Sequence, residues 1–180
     1  ANPEHRSELS RALKREAGDQ ISATTTFFDL EPKDYQKDML VQLTLEREHG
    51  RFRNLVVAAT GTGKTVVAAF DYRAACDVLG GRPRLLFVAH RKEILAQARR
   101  TYREVLRDHS FGEMLGDGSD PNSRDHIFGT IDSVCARDLV ARCGPDYWHT
   151  VVVDECHRLA ADRFDTFVRS VYPKILLGLT

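Results

Sequence analysis

The residues best suited to chemistry lie in a glycine-rich loop, TGTGKT at residues 60–65, that follows an apolar run. Glycines let backbone N–H groups converge on phosphate oxygens, and the amino end of a following helix adds partial positive charge. Lys64 can reach the β and γ phosphates of a nucleotide, and Thr65 can coordinate magnesium. The loop therefore predicts a site for a nucleoside triphosphate with Mg²⁺. Its predicted residues are Thr60, Gly61, Thr62, Gly63, Lys64 and Thr65.

The loop departs from the complete pattern, GxxxxGK followed by Ser or Thr, because Ala58 stands at the first glycine. An alternative interpretation is an ordinary glycine-rich turn with a solvated Lys64 side chain. A phosphate-binding loop requires a strand before it and a helix after it. The apolar run and the helical pattern on either side of the loop therefore favour phosphate binding.

A second apolar run, TVVVDECH at residues 150–157, contains a pair of carboxylates. In parallel sheets ligands bind beyond the carboxyl ends of the strands, so we expect Asp154 and Glu155 at the same edge as the glycine-rich loop. There Asp154 would hold magnesium through water, and Glu155 would polarise the attacking water. The alternative is an acidic pair that caps the next helix.

The candidate catalytic residues are Lys64, Asp154, Glu155 and His157, and the candidate metal ligands are Thr65 and Asp154. The assignment of His157 competes with an ordinary explanation, because a lone histidine is commonly a hydrogen-bonded polar residue on a helix face. The four cysteines show no CxxC pair and no histidine spacing suited to zinc, which favours reduced thiols over a metal–thiolate site.

Short, continuously apolar runs alternate with helical patterns through most of the chain. Runs without polar alternation are typical of strands covered on both faces, as in a parallel sheet. The predicted strands are 54–59, 84–90, 110–115, 126–130, 150–155 and 174–179. The predicted helices between them are 64–79, with Val66, Val67, Phe70, Ala74 and Val78 on its apolar side, and 92–107, with Leu95, Ala98, Tyr102 and Val105. This alternation predicts an α/β fold with right-handed crossovers.

Two further helices are predicted ahead of the first strand. The first spans residues 2–18, between a capping pair and a glycine. The second runs to Gly50. The residues that share its apolar face are Gln36, Met39, Leu40 and Leu43. We therefore expect an amino-terminal helical extension at residues 1–26 and one ATP-binding domain at residues 27–180.

The composition, 42% hydrophobic and 29% charged in 180 residues, is typical of a globular domain. Lys plus Arg and Asp plus Glu both number 26, so a nucleic-acid contact must come from a local patch rather than from net charge. No apolar run approaches the roughly 18 residues of a membrane span, and the amino end lacks a signal-peptide pattern. We therefore expect a cytoplasmic protein without a membrane partner.

Together, ATGTGKT at residues 59–65 and DECH at residues 154–157 resemble the first RecA-like domain of superfamily 2 helicases and translocases, the DEAD/DEAH-like group. The resemblance extends from about residue 30 to residue 180, and this group often has alanine at the position of Ala58. It implies a RecA-like P-loop NTPase fold, with a mostly parallel sheet and helices on both faces. It also implies binding of ATP with Mg²⁺, and ATP hydrolysis coupled to movement along nucleic acid.

Three further stretches are similar to motifs of this group, in the expected order. KDYQ is similar to the segment whose glutamine contacts the adenine edge, which implies that role for Gln36. FVAHRKEILAQA is similar to a motif that grips a nucleic-acid backbone, here through His90 and Arg91. GTIDSV is similar to the next backbone-contacting motif, with Thr130 at the phosphate-contacting position.

The stretch LGLT at residues 177–180 resembles the beginning of the group's Thr-Ala-Thr or Ser-Ala-Thr motif. Since the chain begins with Ala and stops within this motif, we expect a longer protein with a second RecA-like domain. In this group the second domain supplies arginine fingers, and such an arginine is worth about 10³- to 10⁵-fold in rate. Residues 27–180 by themselves are expected to bind nucleotide and to turn it over very slowly.

The form of two motifs separates the branches of the group. AHRKEIL and DECH are more similar to the restriction-subunit and DNA-repair branch than to RNA DEAD-box proteins, so the resemblance favours duplex DNA as the partner. An RNA helicase stays open as an alternative, as does a nucleotide-gated protein-binding module without translocation. A P-loop kinase or small-molecule ATPase would leave AHRKEIL and GTIDSV unexplained.

Overall fold

Helices and strands alternate along residues 27–116, 121–155 and 161–180, the parts of the chain that this computed structural model describes. The strands are β1 (Arg53–Val56), β2 (Leu85–Ala89), β3 (Glu113–Leu115), β4 (His126–Thr130), β5 (Thr150–Asp154) and β6 (Ile175–Leu179). The helices are α1 (Asp34–Glu48), α2 (Lys64–Leu79), α3 (Lys92–Leu106), α4 (Ile131–Ala136), α5 (Leu139–Cys143) and α6 (Ala161–Ser170). Among the described helices, none has the length and apolar character needed to cross a membrane. The helix predicted at residues 2–18 lies outside the described residues and stays a prediction.

Neighbouring strands of the described sheet are all parallel, in the order β1-β6-β5-β2-β4-β3. The predicted parallel sheet is therefore confirmed. Its register places Val56, Leu179 and Asp154 in one row across β1, β6 and β5. The chain segments that follow β1 and β5 therefore leave the same edge of the sheet, two strand spacings or roughly 10 Å apart.

Two apolar layers enclose the sheet. Because side chains alternate along a strand, β2 directs Leu85, Phe87 and Ala89 to one face and Leu86 and Val88 to the other. The first face packs against α1, α2 and α3, and the second packs against α4, α5 and α6. Helices therefore cover both faces, as predicted, which explains why the central strands are continuously apolar.

The predicted apolar faces of α2 and α3 have different outcomes. All four apolar residues predicted for α3 are buried, which confirms that face. In α2 the prediction is wrong for Ala74 and Val78, which are exposed, Val78 by 86%. The buried side of α2 instead includes Asp71, whose carboxylate pairs with Arg47 of α1. Apolar periodicity cannot identify a face that is stabilised by a buried ion pair.

The ion pair between Arg47 and Asp71 connects α1 to α2. Arg47 Nη1 and Nη2 donate to Asp71 Oδ1 and Oδ2 at 2.5 and 2.6 Å, a bidentate arrangement. The two side chains are 16% and 6% exposed. Burial raises the pKa of the Asp71 carboxyl, and the Arg47 guanidinium acts against that rise. The pair therefore fixes α1 at its carboxyl end.

We expect Asp71→Ala to lower the free energy of unfolding by about 3 kcal/mol, because it leaves a mostly buried guanidinium without its counter-charge. Chemical denaturation followed by circular dichroism measures the change. The matched control is Glu46→Ala, which removes the carboxylate of the exposed pair with Arg51 and should change stability little. Equal losses in the two variants would contradict a special contribution from the Arg47–Asp71 pair.

Candidate nucleotide site

The glycine-rich loop turns sharply between β1 and α2. Gly61 and Gly63 have φ angles of 83° and 78°, in the left-handed region that glycine adopts at little steric cost. Thr62 Oγ1 donates a hydrogen bond to the carbonyl oxygen of Ala59 at 2.7 Å, which holds the turn. A Cβ atom at Gly63 would lie 2.5 Å from Gln36 Nε2. Glycine is therefore required at residue 63, immediately before α2.

The Lys64 ammonium lies against the inside of this loop. Its Nζ donates to the carbonyl oxygens of Ala58 and Ala59 at 2.8 and 3.3 Å. Lys64 is also the first residue of α2, so its charge adds to the positive end of the helix dipole. Phosphate oxygens would accept stronger, charge-assisted hydrogen bonds than these carbonyls. Residues 58–65 therefore fit the polyphosphate of a nucleotide.

The first turn of α1 is attached to the glycine-rich loop. Gln36, 4% exposed, donates from Nε2 to the Thr62 carbonyl at 2.8 Å and accepts from the Lys33 N–H at 2.9 Å. The Tyr35 hydroxyl donates to the same Thr62 carbonyl at 2.9 Å. Sequence reasoning missed this role of Tyr35, whose signal was an aromatic residue next to the glutamine. Gln36 supports the loop, and its contact with adenine stays a prediction.

Asp154 ends β5 at the same edge of the sheet. Its side chain is buried, and its Oδ1 accepts a hydrogen bond from the Glu155 N–H at 2.9 Å. Burial raises the pKa of the Asp154 carboxyl, whereas the hydrogen bond from the Glu155 N–H and the positive charge of Lys64 act to lower it. Lys64 lies in the segment that follows β1 and Asp154 ends β5, so both residues lie at the same edge of the sheet. The structure thus brings together the ammonium and the carboxylate of the two sequence motifs.

Ligands for a divalent cation at this edge come from α2 and β5. Across the described ranges, no group of three His, Cys, Asp or Glu side chains is arranged to hold a metal ion. The candidate ligands are Thr65, half-buried in the first turn of α2, and Asp154. Mg²⁺ commonly binds through one or two protein oxygens together with substrate phosphates and water. These residues therefore fit an ion that binds together with a nucleotide.

Glu155 has a left-handed backbone, with a φ angle of 50°, directly after β5. β2 and β5 are neighbours, and Val88 lies opposite Val153, so the chain brings His90 beside Glu155. His90 Nδ1 lies 3.2 Å from Glu155 Oε2. The sequence assigned His90 to nucleic acid and contained no sign of this contact, which depends on strand order. His157 lies outside the described residues, so its assignment stays a prediction.

The other two candidate nucleic-acid residues follow β2 and end β4. Arg91 is exposed and is the N-cap residue of α3. Thr130 is buried, and its Oγ1 accepts from the Ser133 N–H at 3.1 Å and donates to Ser133 Oγ at 2.8 Å. The Thr130 hydroxyl therefore caps α4. Both residues lie on the β2 and β4 side of β5, whereas the glycine-rich loop lies on the β1 and β6 side.

Known sequences resemble this chain over most of its length. Residues 29–180 match the model of the family described as "Type III restriction enzyme, res subunit". A curated protein of Schizosaccharomyces pombe, named "Putative mitochondrial ATP-dependent helicase irc3", is 25% identical over 137 residues, which are 76% of this chain. The matched region is 22% of that relative, so this chain spans about a fifth of its length. The family match confirms the resemblance to the restriction-subunit branch.

Solved structures share the fold at low sequence identity. One is a nuclease-deletion mutant of the type ISP restriction-modification enzyme LlaGI in complex with a DNA substrate mimic, with a TM-score of 0.64 at 17% identity. The match covers 84% of this chain and 17% of that chain. Another is the Sulfolobus solfataricus SWI2/SNF2 ATPase core in complex with dsDNA, with a TM-score of 0.68 at 17% identity and coverage of 84% and 32%. At these identities the likeness establishes the fold.

Proposed function

Because the chain belongs to the family of type III restriction enzyme res subunits, we propose that it is the ATP-binding, RecA-like part of an ATP-dependent helicase or translocase. One observation carries this proposal: the Lys64 ammonium, held in a glycine-rich loop, shares a sheet edge with Asp154 and Glu155. The proposed domain is residues 27–180, preceded by a helical extension at residues 1–26. The proposed compartment is the cytoplasm, which the cysteine spacing favours.

The proposed chemistry is hydrolysis of the γ-phosphate of ATP. Lys64 binds phosphate oxygens in place of the two loop carbonyls that its ammonium contacts. Thr65 and Asp154 hold Mg²⁺, which when bound neutralises charge on the phosphate oxygens. Glu155 accepts the proton of the attacking water. Gln36 supports the loop and is proposed to contact the adenine edge.

The proposed partner is a nucleic acid, bound on the β2 and β4 side by His90, Arg91 and Thr130. Duplex DNA is favoured because the family is one of restriction-enzyme subunits and because the Sulfolobus solfataricus core is described with dsDNA. A second RecA-like domain of the same protein is proposed to supply an arginine finger and the rest of the nucleic-acid track. Closure of the two domains would then complete the nucleotide site when nucleic acid is bound.

We expect duplex DNA to raise the ATP turnover of the full-length protein at least about tenfold, equivalent to about 1.4 kcal/mol of activation barrier. The reason is that binding of nucleic acid and closure of the two domains together complete the catalytic site. Steady-state ATPase rates with duplex DNA, single-stranded DNA and RNA, at equal phosphate concentrations, measure the effect. Stimulation by RNA alone would reassign the partner to RNA. No stimulation by any of the three would contradict a helicase or translocase.

A second candidate function is a nucleotide-gated protein-binding module. The equal numbers of acidic and basic residues, 26 each, favour it over a broad nucleic-acid surface. Exposed apolar side chains at the edge strand β1, Leu55 and the adjoining Val57, also favour a protein contact. In this case ATP would change the affinity for a protein partner, and nucleic acid would leave ATP turnover unchanged. The same ATPase measurement therefore separates the two candidates.

A further inference from the structure

The contact between His90 and Glu155 links the candidate nucleotide site to the candidate nucleic-acid surface at the same edge of the sheet. His90 Nδ1 and Glu155 Oε2 are 3.2 Å apart, and both atoms are shielded from solvent. The two atoms are within ion-pair distance, but the imidazole is not aligned for a full hydrogen bond at His90 Nδ1. His90 is proposed to contact the nucleic-acid backbone, and Glu155 is proposed to activate water. A residue proposed to bind nucleic acid therefore contacts the proposed catalytic base.

Strand order gives this contact a direction. β5 lies between β6 and β2, and the glycine-rich loop follows β1 on the far side of β6. A carboxylate that starts at the end of β5 and reaches His90, after β2, therefore points away from the glycine-rich loop. The loop follows a strand roughly 10 Å from β5 in the opposite direction. In this arrangement the Glu155 carboxylate is withheld from the phosphate side of the site.

The backbone on either side of this contact is held in place. The Glu155 N–H donates to Asp154 Oδ1 at 2.9 Å. Asp154 is in register with Leu179 of β6, and Val153 is in register with Val88 of β2. Rotation about the side-chain bonds of Glu155 is therefore the simplest motion that would carry its carboxylate from His90 toward the glycine-rich loop.

We propose that His90 is a positioning residue, which holds the Glu155 carboxylate on the β2 side until a nucleic-acid phosphate engages His90. This role rests on the proposed function, since it requires both ATP hydrolysis and nucleic acid bound beside β2 and β4. Phosphate oxygens compete with the carboxylate for the N–H donors of the imidazole. A released Glu155 turns toward the loop and accepts the proton of the attacking water. Binding of nucleic acid thereby raises the rate of ATP hydrolysis.

The test compares ATP turnover of the full-length wild type, His90→Ala and His90→Asn, each with and without saturating duplex DNA. Without the imidazole this contact no longer holds Glu155 on the β2 side, so turnover of His90→Ala without DNA should rise about tenfold, the effect of losing one contact with a charged group. The ratio of turnover with DNA to turnover without DNA should fall correspondingly, and the KM for ATP should stay constant. His90→Asn keeps an N–H donor near the position of Nδ1 and should restore most of the ratio.

Other variants of this segment provide the controls. Arg91→Ala should raise the DNA concentration needed for half-maximal stimulation. Arg100→Ala removes an exposed guanidinium of α3 and should leave both rates unchanged. If His90→Ala does not fold, His90→Leu must show the same fall in the ratio, because leucine also lacks a donor.

Two outcomes separate this role from the proposed function. Wild-type stimulation together with an unchanged ratio in His90→Ala, or in His90→Leu as its substitute, would overturn the positioning role and leave the proposed function intact. A wild-type protein that no nucleic acid stimulates would overturn the proposed function, and the positioning role with it.

Discussion

Lys64→Ala lowers ATP turnover by about 10²- to 10³-fold in our expectation, the effect of removing one preorganised donor from developing charge. The ammonium is already held against the loop by the Ala58 and Ala59 carbonyls, so the site presents a positive charge before nucleotide arrives. Without it, phosphate oxygens would face those carbonyls uncompensated. Alanine has the highest helix propensity, so α2 should still begin at this residue. The loss is therefore one of charge rather than of fold.

Isothermal titration calorimetry with an adenine nucleotide and Mg²⁺ measures binding to the Lys64 variant, and steady-state assays measure turnover. Nucleotide binding should be lost together with turnover. Lys37→Ala is the matched control, because it removes an exposed ammonium of α1 that pairs with Asp34 outside the loop. It should bind and hydrolyse ATP like the wild type. Binding heat of wild-type size in Lys64→Ala would contradict a phosphate-binding role for this residue.

Glu155→Gln is expected to keep ATP binding and to lower hydrolysis by about 10²- to 10⁴-fold, the range that a positioned general base contributes. The amide has nearly the shape of the carboxylate but cannot take the proton of the attacking water. The groups proposed to hold the phosphates and the metal ion, Lys64 and Asp154, are unchanged. Binding and hydrolysis should therefore separate in this variant, whereas they fall together in Lys64→Ala.

Single-turnover hydrolysis and calorimetry on the same preparation of Glu155→Gln measure the two quantities. The matched control is Glu93→Gln, which neutralises an exposed carboxylate in the first turn of α3. That variant should hydrolyse ATP at the wild-type rate. If Glu155→Gln does so as well, Glu155 is not the general base.

Local patterns in the sequence were sufficient for most of the secondary structure. The helix predicted at residues 64–79 is α2 (Lys64–Leu79), and the strand predicted at residues 126–130 is β4 (His126–Thr130). Apolar periodicity and the position of a glycine-rich loop are properties of adjacent residues, so they can be recognised without knowledge of the fold. The shared edge of Lys64 and Asp154 also followed, because parallel strands direct their carboxyl ends the same way.

The sequence by itself thus determined the elements, the loop and the edge at which chemistry can occur. Tertiary structure alone decided which residues meet there: Gln36 supports a loop residue 26 positions away, and β5 lies beside β2, which brings Glu155 to His90. It also decided that Asp71, rather than Ala74, lies on the buried side of α2. The physical reason is that the periodicity of one segment describes its own faces but not the partner that covers them. Strand order and long-range pairing supply that partner.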